Sequence, residues 1–334
     1  MALKAENNIG ISLIAVIIMM ALPAALYTAD WAGGLANPVP GIALAVFLIG
    51  FIRRIILWGK SPVPFRIPTT CGQEKSLPWI KRNPLENPAG IPGVIGRMAL
   101  EILLFRSLFR NCDMEIIDGR PVYGSANWLW FFGLLFHGSL LIIILRHLRF
   151  FTEPILPGIA GLAAVDGFLE LAIPTLYLSD MTLLAAAAFL LARRMASAQL
   201  RYISQVSDYF ALLLILAIAA TGLWMRHIQP TDLEQVKALV MGWVSLSPVS
   251  PEGLSSVFFI HLFLICVLLA WFPFSKLMHA GGVLLSPTRN QANDSRNQRH
   301  NNPWNGPVSV HTYEEYENEF RDKMKAAGLP VEKE

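Results

Sequence analysis

The chain is poor in charge and in cysteine, and each shortage excludes a class of protein. Only 15% of its 334 residues are charged, while 54% are hydrophobic. Soluble domains carry roughly 25% charge, so a water-soluble enzyme is excluded. The three cysteines, Cys71, Cys112 and Cys266, form no C-x-x-C pair and no zinc-type spacing. This predicts reduced thiols, with no iron–sulfur cluster or disulfide framework in the chain itself. A Gly-rich phosphate loop and a serine nucleophile elbow are also missing, which removes the marks of a P-loop enzyme or a serine hydrolase.

Long uncharged apolar runs are what the sequence has instead. A spanning helix needs roughly 20 apolar residues. Six spans are expected, at about 11–28, 38–59, 126–145, from Ser179 to Arg193 and Arg194, 209–225 and 254–279. The first follows Lys4, exceeds the roughly 7–15 residues of a signal-peptide core, and reads as a retained anchor helix. The fourth is the shortest. Twelve residues separate Asp180 from Arg193, about 18 Å of helix. Either the arginines snorkel outward or Asp180 enters the membrane for a reason.

Lys and Arg placement orients the spans. With the N-terminus cytoplasmic, nearly all of the 27 basic residues fall inside, and only Arg146, Arg149, Arg226 and Lys237 lie outside. Both termini are therefore expected in the cytoplasm, in a prokaryotic inner membrane. Four parts follow: an N-terminal transmembrane hairpin (1–59), a cytoplasmic loop (60–125), a helical bundle (126–284) and a cytoplasmic tail (285–334). Within the loop, Ile91–Arg110 mixes apolar bulk with Arg97, Glu101, Arg106 and Arg110, as a basic amphipathic helix on the membrane or a partner does. The tail is polar and irregular over 286–307. Thr312 to Glu315 then fits a capping box, opening a charged helix that is expected to lean on another subunit.

Four histidines lie in or beside the apolar segments: His137 and His147 on the third, His261 and His279 on the sixth. Ionisable groups inside a membrane are costly and mark function, and neutral imidazole is a good iron ligand. Two helices with two histidines each can clamp two haems. On straight helices the spacing of 10 residues is about 15 Å and that of 18 about 27 Å. The second pair shares one face; His147 lies about 80° around from His137. The two spans run antiparallel, so depth pairs His137 with His279 on the cytoplasmic side and His147 with His261 on the outer side. The spacings disagree by about 12 Å, and Pro273 can kink the sixth span between its histidines. His227, His300 and His311 read as surface residues.

Phe136-His137 through Arg146-His147, Phe259-Ile-His261 and Phe272-Pro-Phe-Ser-Lys-Leu-Met-His279 resemble the gamma subunit of respiratory nitrate reductases. Leu190 to Arg194 and Ser207-Asp-Tyr-Phe210 fit the intervening region. Cys71 to Lys81, Val94 to Glu101, Leu103 to Arg110 and His311 to Tyr316 resemble the DsrM family, the cytochrome b subunits of the DsrMKJOP complex found beside dissimilatory sulfite reductase. The resemblance implies two haem b groups, quinone or quinol as exchangeable substrate, and a DsrK-like cytoplasmic iron–sulfur subunit. It also implies a periplasmic multihaem cytochrome c and a second quinone-linked membrane module. The glycine that nitrate reductases carry before the outer histidine is Arg146 here, so their quinone-site residues are not carried over.

The expected fold is an all-α integral membrane protein with about six transmembrane helices. A four- or five-helix di-haem cytochrome b bundle is joined by an extra N-terminal helix and cytoplasmic extensions. Arg146, Arg149, Glu153 and Asp180 are the quinone-site candidates, since a carboxylate takes a quinol proton and an arginine holds a carbonyl or a haem propionate. Arg53, Arg54, Arg97 and Arg194 are candidates for propionates on the inner side. The alternatives are a metal or proton transporter, or a haem-free membrane anchor.

Overall fold

The structure is a computed structural model that describes residues 2–61, 79, 81, 83–169, 173–286, 289–292 and 310–333. Cys71 with most of its motif, His300 and the expected irregular stretch from 293 onward lie outside the described residues. The chain divides into two compact units, one of Met1–Lys60 with Ile95–Asn290, the other of Ser61–Val94 with Gln291–Glu334.

The larger unit opens with α1 (Ala2–Thr28), α2 (Ala32–Ala36) and α3 (Pro38–Lys60). After α4 (Ile91–Leu104), which begins in the other unit, come α5 (Arg106–Phe109) and a hairpin of β1 (Cys112–Ile117) and β2 (Arg120–Ser125). The bundle proper comprises α6 (Asn127–His147), α7 (Pro157–Asp166), α8 (Leu178–Ala196), α9 (Ala198–Ile203), α10 (Val206–His227), α11 (Leu233–Val244), α12 (Ser256–Trp271) and α13 (His279–Leu285). Among the described residues, five helical segments, Asn7–Thr28, Ala32–Lys60, Asn127–Phe150, Val206–His227 and Ser256–Phe274, are long and apolar enough to cross a bilayer. Ile11, Ile14 and Ile18 on α1 and Ile42, Ile49 and Ile52 on α3 are exposed, as side chains facing hydrocarbon are. This is a multi-pass membrane protein.

The expected fourth span forms as α8, 19 residues long and so about 28 Å. Asp180, Arg193 and Arg194 lie within it, which sets it apart from the five more apolar segments. Its Ala186 and Ala187 are fully buried and let α6 approach closely. Ser139 of α6 meets Thr182 of α8 at 2.6 Å between hydroxyls. Beyond α8 the packing runs to α10, from α10 to both α1 and α12, and from α12 to α3. On the α1 side, Ser12 Oγ lies 2.8 Å from the Val206 carbonyl and pins the start of α10.

Three expectations need correction. The sixth span does not run unbroken to His279. α12 ends at Trp271, a tight turn covers Phe272–Phe274, Ser275 is extended, and a second tight turn covers Lys276–Met278 before α13. Pro273 supplies no N–H to the helix ladder, and Gly50 of α3 admits its ring: a Cβ on Gly50 would sit 2.8 Å from Pro273 Cβ. The straight-helix length between His261 and His279 therefore does not apply.

The expected single amphipathic helix over 91–110 breaks at Phe105, whose φ is 48°. The buried Glu101 carboxylate accepts from the Ser107 N–H and hydroxyl, capping α5, while Trp130 Nε1 donates to the Leu104 carbonyl at 2.7 Å. Lastly, a hairpin lies where helix and loop alone were expected. Its turn is Asp118-Gly119, both at positive φ (51° and 73°), the backbone that a two-residue hairpin turn requires.

In the smaller unit, α14 (Tyr313–Ala326) begins at the expected capping box, with Thr312 Oγ accepting from Glu315 N–H at 3.2 Å. The buried Glu317 accepts from the backbone N–H groups of Glu332 and Lys333, each at 2.9 Å. These bonds, with Arg321 beside them, hold its carboxyl below the usual range.

Candidate functional site

The four histidines occupy two places in the bundle. His137 and His279 lie edge to face, with ring centres 5.9 Å apart. Two imidazoles on opposite sides of one metal, with bonds of about 2 Å, have ring centres about 6 Å apart. His147 and His261 are electrostatic neighbours at the other place. α6 and α12 carry three of these four side chains but are not among the closely packed helix pairs; α8 and α10 bridge them. His137, His147 and His279 keep exposed rings in this otherwise apolar region.

In all four rings Nδ1 is committed. It lies 2.8 Å from the Gly133 carbonyl in His137, 2.7 Å from that of Ile143 in His147 and 2.9 Å from that of Lys276 in His279. A carbonyl only accepts, so Nδ1 carries a proton, and in a neutral ring Nε2 is then the nitrogen left to bind a metal. His261 Nδ1 lies 2.9 Å from Thr221 Oγ. That hydroxyl donates to the Ala217 carbonyl at 2.8 Å, so it accepts from the ring. Metal-bound histidines show the same division, one nitrogen to the metal and the other N–H to a fixed acceptor.

Among the described residues no group of three or more His, Cys, Asp or Glu side chains converges as a metal site. Each place offers two imidazoles only. Two donors hold a bare ion weakly, but they complete an iron whose other four ligands are porphyrin nitrogens. The Nδ1 bonds, the 5.9 Å separation and the uncovered rings fit a haem at His137 and His279; at His147 and His261 the Nδ1 bonds carry the fit.

Next to His147 is a buried charge cluster. Arg146 is 6% exposed. Its Nε lies 3.1 Å from Asp166 Oδ2, and its terminal nitrogen pairs with Asp180. Asp166 also accepts from the Ser179 N–H at 2.9 Å and hydroxyl at 2.7 Å. The guanidiniums of Arg146 and Arg226 both lie over the Tyr177 ring, at 3.7 and 4.3 Å from its centre. Arg226 Nε also donates to the Thr175 carbonyl at 2.8 Å. Asp180 is thus met by Arg146 inside the bundle.

The quinone-site candidates thus separate. Arg146 and Asp180 neutralise each other inside the bundle. Glu153 pairs with Lys237 in an exposed contact. Arg149 is half-buried, has Tyr177 as an electrostatic neighbour and lies 4.8 Å from the centre of the Phe150 ring. At the opposite end Arg53 and Arg54 are exposed, and Arg97 is half-buried. Arg194 donates to Ser204 Oγ at 2.8 Å and lies 3.7 Å from Asp208. Phe105, at the break after α4, sets its ring 5.0 Å from that of His137.

Asp166, Tyr177, Thr221 and Asp208 were not singled out from sequence. An aspartate ending a short apolar helix and a threonine 40 residues before a histidine were the available signals. Neither names its partner without coordinates.

The nitrate reductase gamma subunit family matches residues 124–289, the stretch that holds all four histidines and the Arg146 cluster. The chain is 44% identical over 279 residues to the Hdr-like menaquinol oxidoreductase cytochrome b-like subunit of Archaeoglobus fulgidus, covering 81% of this chain and 83% of that protein. It is 42% identical over 274 residues to the subunit of the same name from Archaeoglobus profundus, covering 80% and 81%. With a nitrate reductase gamma domain and this likeness along four-fifths of its length, the chain belongs to the family of Hdr-like menaquinol oxidoreductase cytochrome b-like subunits.

Proposed function

We propose that this protein is the di-haem b membrane subunit of a quinone-linked oxidoreductase. It passes electrons between the quinone pool and a DsrK-like cytoplasmic iron–sulfur subunit in sulfite or sulfur metabolism, in a complex with a multihaem cytochrome c. The observation that carries this reading is the set of four imidazoles, each with Nδ1 hydrogen-bonded within the bundle and Nε2 left for a metal, gathered as two pairs. A haem b held by two histidines supplies one-electron transfer with no open iron position.

The remaining roles fall to the chain's own side chains. Gly133, Ile143 and Lys276 carbonyls and Thr221 Oγ orient the rings. Leu183, Ala187 and Ile215 close the bundle with an apolar wall. Basic residues place His137 and His279 toward the cytoplasm and His147 and His261 toward the outside, with both termini cytoplasmic. Menaquinol, the donor in the relatives' name, would be oxidised near His147. There Arg149 and Tyr177 can hold an oxygen of the quinone, and Glu153 can take a proton.

The test is reduction of the oxidised protein by a soluble menaquinol analogue, followed in the haem α-band. The expected outcome is fast reduction that slows at least tenfold in Arg149→Gln. Colourless protein would contradict the proposal and favour a metal or proton transporter or a haem-free anchor. Coloured protein that menaquinol does not reduce would contradict the quinone link.

A further inference from the structure

His279 differs from the other three histidines in how its ring is held. His137 and His147 donate to carbonyls within their own long helix α6, and His261 to Thr221 on its neighbour. His279 donates to Lys276, three residues back, in a tight turn that follows the break at Pro273. Its direction therefore depends on what fixes that turn.

Locally, Ser275 Oγ accepts from Leu277 N–H at 3.1 Å. Across the bundle, Lys276 Nζ reaches both carboxylate oxygens of Asp208 on α10, at 2.7 and 2.9 Å. Asp208 is itself fixed. It is the third residue of α10, accepts from Gln205 N–H at 3.0 Å in a capping box, and has Arg194 at 3.7 Å. The Asp208 side chain is 10% exposed and that of Lys276 68%, so the aspartate is the anchor and the lysine comes to it. An ion pair with so exposed a partner adds little stability. What it fixes is geometry, since both oxygens engage one ammonium and the backbone of that same lysine carries the acceptor for His279.

We propose that Asp208 is the positioning residue of the His137–His279 pair, acting through Lys276 to aim the His279 ring. The inference rests on the di-haem reading above. The experiment uses the full chain with its haems in detergent. It reads haem stoichiometry, the low-spin electron paramagnetic resonance g-values and the midpoint potential of each haem. His279→Ala identifies which signals belong to this pair.

Asp208→Asn keeps an acceptor for the helix cap and removes the charge; Lys276→Gln removes the ammonium and keeps the carbonyl. Each is expected to shift the g-values and potential of that one haem, leave the other haem unchanged, and weaken retention of the affected haem about tenfold. Asp208→Glu and Lys276→Arg are expected to restore the parent signature. If Asp208→Asn does not accumulate, Lys276→Gln decides. Unchanged signals in Lys276→Gln, or equal shifts of both haems, overturn the proposal. Parent protein without two haems instead overturns the reading beneath it, and shows this before any variant is made.

Discussion

Replacing Arg146 by Gln strands two carboxylates inside the bundle. The arginine side chain is 7% exposed and its partners Asp166 and Asp180 are 5% and 18% exposed, so water cannot take over. Removing one partner of a buried ion pair costs about 3–5 kcal/mol. Asp166 keeps its two bonds to Ser179, which places the expected loss near the lower figure, about 3 kcal/mol. For a chain of this size that is a drop in Tm of about 4 °C. Asp180→Asn alone removes one charge and leaves an acceptor, and is expected to cost about 1–2 kcal/mol. The double variant Arg146→Gln with Asp180→Asn then loses less than the sum, by a coupling energy of about 1–2 kcal/mol. The assay is reversible unfolding of the purified protein in detergent, with all four proteins of the cycle measured side by side. Losses that add within about 0.5 kcal/mol would refute the claim that Arg146 meets Asp180, and with it the explanation of how α8 accommodates a partly buried carboxylate.

Three further outcomes follow from named contacts. Thr221→Val removes the acceptor of His261 Nδ1 and is expected to weaken one haem about tenfold while the His137–His279 haem stays; haem transfer to apomyoglobin measures it. Gly50→Ala places a Cβ 2.8 Å from Pro273 Cβ and is expected to cost about 1–3 kcal/mol by thermal unfolding. Gly41→Ala, with nothing within 4 Å, is the control and is expected to be neutral or stabilising; equal losses in both would sink the packing argument. For the C-terminal tail, the folded-state pKa of Glu317 is lowered by the N–H groups of Glu332 and Lys333. The tail contact is therefore fully present above the ordinary carboxylate pKa of about 4.3 and is lost as pH falls through the lower folded value. Hydrogen exchange at Glu332 and Lys333 should quicken at that low pH in the parent and be fast at every pH in Glu317→Gln. A tail equally protected in both contradicts the contact.

Much of this was legible in the sequence because membrane helices write long signals. The apolar runs gave the spans, and the capping box at Thr312 gave the start of α14. The four histidines stood out because imidazole is rare in such runs; in the structure His137 lies beside His279, and His147 is an electrostatic neighbour of His261. What sequence could not supply were the cross-helix partners. Asp208 and Lys276 are 68 residues apart, and Arg146 and Asp180 are 34 apart, so no local pattern joins them. Pro273 signalled a kink, but the size of the break depends on Gly50 lying opposite. The hairpin over Cys112–Ser125 carried a local signal in Asp118-Gly119, the residue pair that its two-residue turn requires. Phe105 adopts positive φ for a reason visible only in space, the Glu101 carboxylate turned back onto Ser107.

The central claim is that two imidazole pairs each hold one haem. It is tested most directly by counting haem b per chain, by pyridine haemochrome, in the parent and in His137→Ala, His147→Ala, His261→Ala and His279→Ala. The account predicts two in the parent and one in each variant, with His137 and His279 losing one spectral species and His147 and His261 the other. A parent with fewer than two haems, or a variant that keeps both with unchanged spectra, contradicts it.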